Sequence, residues 1–529
     1  AARTAVDAAA ERWEAGDEAA LPDLVAAQLV WRRVTHAAGA AAEQQLRRHA
    51  WLHSREQPSP TITRQLRLPQ QAVTVPAVRG AEGALHEGPA AAAAAASFYA
   101  GISAQPATSP AAQAEVLAAL ATNGRRLTEQ QAAGLAGPVS QAEVLRALRR
   151  GRPGKASGLD GVPLELYRRF RDFFAPLLSR LFSAIISTAT LPRGFHQGLV
   201  TILHKSGDRS DPGNYRPITL LGTDYRLFAL VLARRLGPRL PHIIDPVQTA
   251  FVPGRCIGDN ILTLQLLPHH LRRAGRWALA VFCDFRKAYD TIDRSFLLRA
   301  LETLGLPPGF VSLVRLLLSS TTARCLVNGY ISAPAPFAAG VRQGCPLAPL
   351  LYLFVAQALL AFLQSRAIGV PHLMPDSPLT TCPSMYADDA QALLASATQL
   401  SPFLAAMDTF AAASGQHLNP SKSRILLLGA VPPHVEAMLP PPAARRGIPV
   451  VPYTAALGVP LANGPPPPDV TAAAWAARLA SVEAVYTRVS RLGLSTFGRG
   501  FASAGYGVPK LLFQAEFLGQ PPAAIAVRL

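Results

Sequence analysis

The chain has 529 residues, half of them hydrophobic, and a formal net charge of +18 at pH 7. That length predicts two to four domains and allows a sizeable buried core, and the basic excess favours a polyanionic partner, with nucleic acid first and an acidic membrane second. The five cysteines form no Cys-x-x-Cys pair and no apolar run reaches the roughly 18 residues that span a bilayer, which argues against a zinc knuckle, a disulfide framework and a transmembrane protein.

The first 110 residues form an alanine-rich, basic extension. The unbroken alanine run at 90–96 predicts a helix, although GC-rich codon usage accounts for much of the Ala and Pro content. The stretch 38–55 mixes arginines and histidines with Trp51, and it either lies along a phosphate backbone or forms a solvated helix face. The chain starts at an alanine without a signal-peptide pattern, so we expect an intracellular protein of which this chain is a piece.

Residues 111–185 predict a helical region, and residues 186–461 alternate strands with helices. The strand-like runs are short and apolar: 199–203, 279–283 and 426–428. The helix-like runs are longer: 225–236, 294–304 and 349–363. This alternation predicts an α+β fold. Residues 462–529 predict a final helical region, in which Asp469 caps a helix whose apolar face is formed by Trp475, Leu479, Val482, Tyr486 and Val489.

Two adjacent carboxylates, Asp388 and Asp389, stand at the expected tip of a hairpin in the segment SMYADDAQALL. Two like charges about 4 Å apart repel by roughly 1 kcal/mol in water, and by several-fold more at a partly buried site. A divalent ion such as Mg²⁺ supplies the missing positive charge and keeps positions open for phosphates. Two such ions about 3.5–4 Å apart can stabilise both the attacking and the leaving oxygen of a phosphoryl transfer. Taken alone, the pair is equally compatible with a turn that carries two solvated acids.

A third carboxylate is predicted to come from Asp284, which directly follows the apolar strand in LAVFCDFRKAYDTID. An acid at the end of a strand is held rigidly, so Asp284 is the expected partner of the adjacent pair. Asp290, in the turn before the next helix, is expected to cap that helix or to support the site from behind. Tyr289 either forms a wall of the site beside a sugar or packs in the core.

Basic and polar residues of three further segments complete the candidate site. Lys205 and Arg216 stand on the two arms of a predicted β-hairpin, where a lysine and an arginine can bind a triphosphate. Gln343 is expected to project from a loop that precedes an apolar helix, a natural place to contact a phosphate or a base. Lys422 precedes a strand and can protonate a leaving pyrophosphate. The ordinary alternatives are a plain surface turn for the hairpin and a solvated lysine at 422.

In chain order these motifs resemble those of reverse transcriptases, and most closely those of non-LTR (LINE-type) retrotransposons. KASGLDGVPLELY at 155–167 is similar to the motif that precedes the fingers in that family. YRPITLL, FRKAYD, RQGCPLAPLL and YADD follow in family order, and LGVPL at 457–461 is similar to the motif that closes the palm. Any one motif is weak or moderate, whereas six in order are highly specific, and they cover about residues 155–461.

The resemblance implies a right-hand polymerase: fingers and a palm with a split βαβ antiparallel sheet over 186–461, and a helical thumb over 462–529. It implies that Asp284 and Asp388 bind two Mg²⁺ ions, or Mn²⁺ in their place, and that Asp389 is a third ligand nearer the primer end.

By the same resemblance, Lys205 and Arg216 match triphosphate-binding residues of the fingers. Tyr289 matches the aromatic residue that disfavours a 2′-hydroxyl. Gln343 and Gly344 match the loop that contacts the incoming nucleotide and the template. Lys422 matches a general acid more loosely.

The resemblance therefore implies an RNA-directed DNA polymerase that extends a DNA primer on an RNA template with dNTPs. The implied setting is a ribonucleoprotein with the element's RNA, without a membrane partner; if the element is eukaryotic, the expected location is the nucleus and cytoplasm. An endonuclease and a C-terminal Cys/His knuckle, which many relatives carry, have no counterpart in this sequence. The first 110 residues would be a connector that binds RNA.

Three other interpretations are open. A group II intron or retron-type polymerase also uses Tyr-Ala-Asp-Asp, although KAYD and RQGCPL favour the LINE type. A second alternative is a polymerase fold kept only as an RNA-binding scaffold. The presence of all three acids and of both cations of the fingers argues against it. A P-loop NTPase fails, because Arg149 stands where the first glycine is required and Ala156 follows Lys155.

Overall fold

The computed structural model describes residues 2–14, isolated positions from 17 to 34, and residues 74–528 apart from 375, 376 and 493. The chain forms two compact units, Ala72–Val470 and a smaller one that combines Ala1–Gln71 with Thr471–Leu529. The stretch 38–55, expected to contact phosphates, lies outside the described residues. Residues 74–110 belong to the larger unit, and the domain boundaries expected from the sequence stay a prediction.

The central sheet of the larger unit has four antiparallel strands. Their order across the sheet is Ser384–Tyr386, Asp389–Leu394, Trp277–Cys283 and Arg424–Gly429. Along Trp277–Cys283, Leu279 and Val281 pack into the main core, while Ala280 and Phe282 pack into a second cluster. The strand is apolar throughout because both of its faces are covered. The strands expected at 279–283 and 426–428 are confirmed.

A five-stranded sheet contains the hairpin expected to bind phosphates. Gly198–His204 pairs antiparallel with Tyr215–Leu221 and parallel with Thr322–Val327. The short strands Tyr330–Ile331 and Ala335–Pro336 pair with the last of these. The remaining strands form two-stranded ribbons: Val78–Arg79 with Leu85–His86, Val370–Met374 with Ser377–Thr380, and Tyr453–Ala456 with Val459–Ala462.

The described helices of the larger unit surround these sheets. In chain order the α-helices are Gly88–Ile102, Pro110–Asn123, Glu129–Ala132, Gln141–Arg150, Leu164–Arg169, Arg171–Thr188, Thr223–Leu236, Leu240–Ile243, Ile257–Arg273, Arg294–Thr303, Pro308–Leu318, Ala348–Ser365, Leu400–Ser414 and Val435–Met438. Short 3₁₀ turns occur at Pro212–Asn214, Gly237–Arg239 and Ala397–Gln399. The helices expected at 225–236, 294–304 and 349–363 are confirmed within one to two residues at each end.

The helix Ala348–Ser365 lies in the middle of the main core. By length and composition it could cross a membrane, but 78% of it is buried inside the unit. Every residue from Leu351 to Leu363 is buried. This agrees with the buried helix that the sequence predicts here.

The alanine run forms part of the helix Gly88–Ile102. Ala91, Ala92, Ala95 and Ala96 are buried and pack in a cluster with Ala323, Cys325 and Val327 of the five-stranded sheet. Methyl side chains let the helix approach the sheet closely. The Tyr99 hydroxyl donates to the Pro212 carbonyl at 2.9 Å and so ties the helix to the hairpin 198–221.

The described helices of the smaller unit are Ala2–Glu14, Pro468–Arg491, which begins in the larger unit, Thr496–Tyr506, Pro509–Leu518 and Ala523–Ala526. The apolar face expected on Pro468–Arg491 is largely confirmed, with Trp475, Leu479, Val482 and Val489 buried. Val485 is also buried, and Tyr486 is half-buried. Asp469 lies inside the first turn rather than before it, where its charge still favours the helix dipole.

Candidate active site

Three carboxylates meet at one end of the four-stranded sheet. Ala390 pairs with Cys283, so Asp389 and Asp284 continue past this pair on adjacent strands. Cα atoms directly opposite each other in such a ladder are about 4.5–5.5 Å apart. Asp388 lies in the two-residue turn between the paired Tyr386 and Asp389. Residues more than a hundred positions apart in the chain are therefore brought to the same end of the sheet.

The carboxylates of these acids repel one another, and a bound cation would relieve that repulsion. Burial, followed by the charges of Asp388 and Asp284, raises the pKa of Asp389 to about 6. Burial also raises the pKa of Asp388, and Asp284 adds to that rise. Within the described part of the chain, no group of three or more Asp, Glu, His or Cys side chains is arranged closely enough to hold an ion by itself, and this includes the three acids. A divalent ion held here would thus need further oxygen ligands, which nucleotide phosphates can supply.

Asp284 is held by residues that the sequence analysis did not single out. Asn419 Nδ2 donates to Asp284 Oδ2 at 2.9 Å, and the Asn419 N–H donates to the Asp284 carbonyl at 2.7 Å. The Asp284 N–H in turn donates to Ser423 Oγ at 3.1 Å. The Asn-Pro dipeptide at 419–420 is a turn signal that could have drawn attention to this loop.

Positive groups face the acids from two loops. Arg216 lies opposite Leu203 in the hairpin, and the Lys205 N–H donates to the Asn214 carbonyl at 2.9 Å. Partial burial, then the charges of Arg216 and Lys422, lowers the pKa of Lys205, while Asp388 and Asp284 oppose that change. Arg216 and Lys422 are therefore both within electrostatic range of Lys205.

The exposed side chain of Lys422 lies on the same turn as Asn419 and Ser423. Lys287, from the FRKAYD segment, was also missed. Its Nζ donates to the Gly213 carbonyl at 3.0 Å and so joins the segment that follows Asp284 to the hairpin 198–221.

Tyr289 lies beside the acid pair. Its ring stacks on that of the buried Tyr352, with 4.7 Å between centroids and 21° between planes. Burial, then the charges of Asp388, Tyr386 and Asp389, raises the pKa of Tyr289 well above its usual value. The ring is thus fixed on one face and close to the acids.

Gln343 is placed differently from its expected outward projection. Its Nε2 donates to both carboxylate oxygens of Asp290, at 3.0 and 2.9 Å, and its carbonyl accepts from the Thr219 N–H at 2.7 Å. Burial raises the pKa of Asp290 to about 6, although Gln343 and Lys287 act in the opposite direction.

Asp290 thus supports this loop, and the helix cap is supplied by Asp293, which accepts from the Phe296 N–H at 2.7 Å. Gly344 has φ +121°, and a Cβ there would lie 2.3 Å from the Thr219 carbonyl oxygen. The loop therefore needs a glycine to lie against the strand Tyr215–Leu221.

Comparison with known proteins adds the family context. Residues 203–461 match the family described as reverse transcriptase (RNA-dependent DNA polymerase). The chain is 32% identical over 335 residues to a 149 kDa protein of transposon TX1 from Xenopus laevis, covering 63% of this chain and 25% of that protein.

It is 29% identical over 290 residues to the Pol polyprotein of retrotransposable element R2 from Popillia japonica, covering 54% of this chain and 39% of the relative. It is 25% identical over 201 residues to the RNA-directed DNA polymerase of mobile element jockey from Drosophila melanogaster, covering 37% and 22%. The chain thus spans less than half the length of these relatives.

Proposed function

We propose that this chain, whose residues 203–461 are a reverse transcriptase domain of the non-LTR (LINE) type, extends the 3′-hydroxyl of a DNA primer on an RNA template. The observation that carries the proposal is the sheet register, which sets Asp284 against Asp389 and the turn of Asp388. The right-hand polymerase fold of the family accommodates this arrangement. We assign the central sheet to the palm, the hairpin 198–221 to the fingers and the helices after 468 to a thumb.

Asp284 and Asp388 would hold two divalent ions, and Asp389 would lie at the primer side. Reverse transcriptases use divalent ions, and Mg²⁺, or Mn²⁺ in its place, would supply positive charge to the attacking and leaving oxygens when bound. Asn419 fixes the orientation of Asp284 through its 2.9 Å hydrogen bond. Catalysis by this chain then consists of positioning and charge stabilisation.

The cations of the hairpin would bind the nucleotide. Lys205 and Arg216 face Asp388 electrostatically, so a dNTP triphosphate fits between them and the acids. Arg216 can bind a phosphate through two parallel N–H groups, whereas Lys205 acts as a compact charge. Lys422, on the Asn419 turn, would give a proton to the leaving pyrophosphate.

Tyr289 and the loop of Gln343 would shape the nucleotide pocket. The Tyr289 ring is fixed by its stack on Tyr352, so it cannot easily move aside for a 2′-hydroxyl. Gln343 would contact the nucleotide and template through its backbone N–H, because Asp290 engages its side-chain amide and the Thr219 N–H engages its carbonyl. Gly344 would leave room for that approach.

The proposed partners follow from this activity. They are an RNA template, a DNA primer or target, and dNTPs, in a ribonucleoprotein with the element's RNA inside a eukaryotic cell. A-form duplexes are contacted largely through phosphates and 2′-hydroxyls, which suits the net charge of +18. The relatives include a Pol polyprotein of a retrotransposable element and an RNA-directed DNA polymerase of a mobile element, so a group II intron or retron enzyme is not favoured.

Primer extension on an RNA template with dNTPs and Mg²⁺ tests the proposal. We expect extension by the wild type and a loss of at least about 100-fold in Asp284→Asn and Asp388→Asn. Asp408→Asn is the matched control, because Asp408 only pairs with Arg446 on the surface. An inactive wild type, or full activity in both variants, contradicts the proposal. RNA binding without extension would favour the scaffold alternative.

A further inference from the structure

The turn that carries Asp388 has an unfavourable backbone. Asp388 and Ala387 form the two-residue connection between Ser384–Tyr386 and Asp389–Leu394, and Ala387 has φ +55°. Two-residue hairpins with a positive φ at their first position usually place glycine there. Alanine in the left-handed region persists only where the surroundings determine it.

The side chain of Gln248 binds both backbone polar groups of Ala387. Gln248 Nε2 donates to the Ala387 carbonyl at 3.2 Å, and Gln248 Oε1 accepts from the Ala387 N–H at 2.9 Å. The same Oε1 accepts from the Ala250 N–H at 3.1 Å. Gln248 is only 2% exposed, so water does not compete for these bonds.

Gln248 is itself held from behind. Arg255 donates to the carbonyls of Gln248 at 2.6 Å, Asp245 at 2.5 Å and Ile244 at 2.8 Å. The residues on either side of Gln248 extend the edge of the central sheet. There the Met385 N–H donates to the Val247 carbonyl, and the Thr249 N–H donates to the Met385 carbonyl.

The buried Asn260 joins the same two segments. Its Nδ2 donates to the carbonyls of Val247 at 3.1 Å and Met385 at 2.9 Å, and to Ser384 Oγ at 2.8 Å. The Gln248 amide is therefore presented to the turn by a rigid, buried network.

We propose that Gln248 is a positioning residue, which fixes the Ala387–Asp388 turn and thereby aims Asp388 at Asp284. The role rests on the proposed function, since aiming an acid matters for a reaction at that acid. It acts through the backbone of Ala387 and makes no contact with substrate. Residues that orient a ligating carboxylate typically affect activity by about 10- to 100-fold.

The test combines kinetics with local hydrogen exchange in the full chain. Gln248→Glu keeps the shape but replaces the donor to the Ala387 carbonyl by an acceptor. Gln248→Asn keeps the amide but is one methylene too short to reach both groups. Gln357→Glu is the control, because buried Gln357 accepts from the Asp245 N–H, just before the segment 247–250, and makes no bond to the turn.

We expect both Gln248 variants to lower kcat by about 10- to 100-fold with little change in KM for dNTP, and Gln357→Glu to keep wild-type kcat. Exchange of the peptide 384–390, measured without nucleotide or metal, should become at least about tenfold faster in both Gln248 variants only. Ala387→Gly, added to Gln248→Asn, should restore part of kcat, because glycine adopts the turn without help.

Unchanged exchange at 384–390 in a folded Gln248→Asn protein overturns the inference, even if the wild type proves inactive. Wild-type kcat in that variant overturns it as well. If Gln248→Glu does not fold, the Gln248→Asn result decides. If the wild type is inactive but exchange at 384–390 is faster in the Gln248 variants, the proposed function is refuted, whereas the role of Gln248 in fixing the turn is supported.

Discussion

The negative charge of Asp389 destabilises the folded protein when no cation is bound, because other acids lie nearby. Burial and the charges of Asp388 and Asp284 raise its pKa from 3.8 to about 6. An acid whose pKa is higher in the folded than in the unfolded state favours folding at low pH. Its contribution therefore becomes less favourable as pH rises from 3.8 to about 6, and it is least favourable at neutral pH.

We accordingly expect Asp389→Asn to raise the free energy of unfolding of the metal-free protein at neutral pH. The gain should be about 1 kcal/mol, well below what the pKa alone implies, because Asp389 is exposed by its accessible surface and solvent screens its charge. Urea unfolding in EDTA measures this. Asp408→Asn, which breaks a surface ion pair, should not stabilise; a destabilised Asp389→Asn would contradict the prediction.

Mg²⁺ should stabilise the wild type through the same acids. At 10 to 100 times the dissociation constant, a ligand that binds only the folded state adds about 1.4–2.7 kcal/mol. We expect calorimetry to show a rise in Tm with Mg²⁺ for the wild type and almost none for the Asp284→Asn, Asp388→Asn double variant. Equal shifts in both proteins would place the bound ions elsewhere.

For individual residues, the sequence predicts the acids of the site better than the residues that hold them in place. Asp388 and Asp389 stand out because they are adjacent, and Asp284 because it ends an apolar strand. Asn419 lies 135 positions from Asp284, and Gln343 lies 53 positions from Asp290. No local pattern connects such partners, so the bond that turns the Gln343 amide inward becomes visible only in three dimensions.

Among the elements, the loop at Gly344 has the strictest requirement. We expect Gly344→Ala to reduce primer extension by at least about tenfold, because the Cβ would meet the Thr219 carbonyl at 2.3 Å and displace the loop from the hairpin. Gly329→Ala is the control: it has φ +93° but nothing within 4 Å of a Cβ. Comparable activity losses in the two variants would show that backbone strain, rather than the contact, decides.

Glu143 joins two helices and should give an acid-sensitive contribution to stability. Burial acts to raise its pKa, but the hydrogen bonds and charge of Arg235 and the capping bonds of Ser140 together lower it to about 2. Because folding lowers the pKa of Glu143, its contribution to stability is fully present above the ordinary pKa of 4.5 and is lost as pH falls toward about 2.

Glu143→Gln should therefore cost about 2–3 kcal/mol at pH 7 and almost nothing near pH 2. Urea unfolding at both pH values checks the sign. Glu302→Gln removes an exposed pair with Arg315 and should change stability by less than about 0.5 kcal/mol. A pH-independent loss in Glu143→Gln would point to packing rather than charge.

Long apolar elements were predictable and short ones were not. The strand at 277–283 is a continuous apolar run, and the helix at 348–365 is apolar apart from Gln357 and its last two residues, so composition identifies both. The segment 247–250 joins the sheet edge through Gln248 and Met385, although it is too short and too polar to suggest a strand. The same holds for the two-residue strands beside Thr322–Val327.

For the whole molecule, the net charge of +18 predicts strongly salt-dependent binding to RNA. A protein that neutralises 6–10 phosphates loses about 10³- to 10⁵-fold in affinity between 50 and 200 mM salt. We expect filter binding to show a steep linear fall of log K with log salt, unchanged in Asp284→Asn. A shallow slope would mean that few of the basic residues contact phosphates.

The alanine run has a consequence for how this gene can change. An α-helix turns by about 100° per residue, so an insertion or deletion in the run would rotate every helical residue that follows it. One extra alanine ahead of Tyr99 would rotate that ring away from the Pro212 carbonyl, to which it now donates. The length of the alanine run is therefore constrained, because the Tyr99 contact beyond its end helps to hold the hairpin of Lys205 and Arg216.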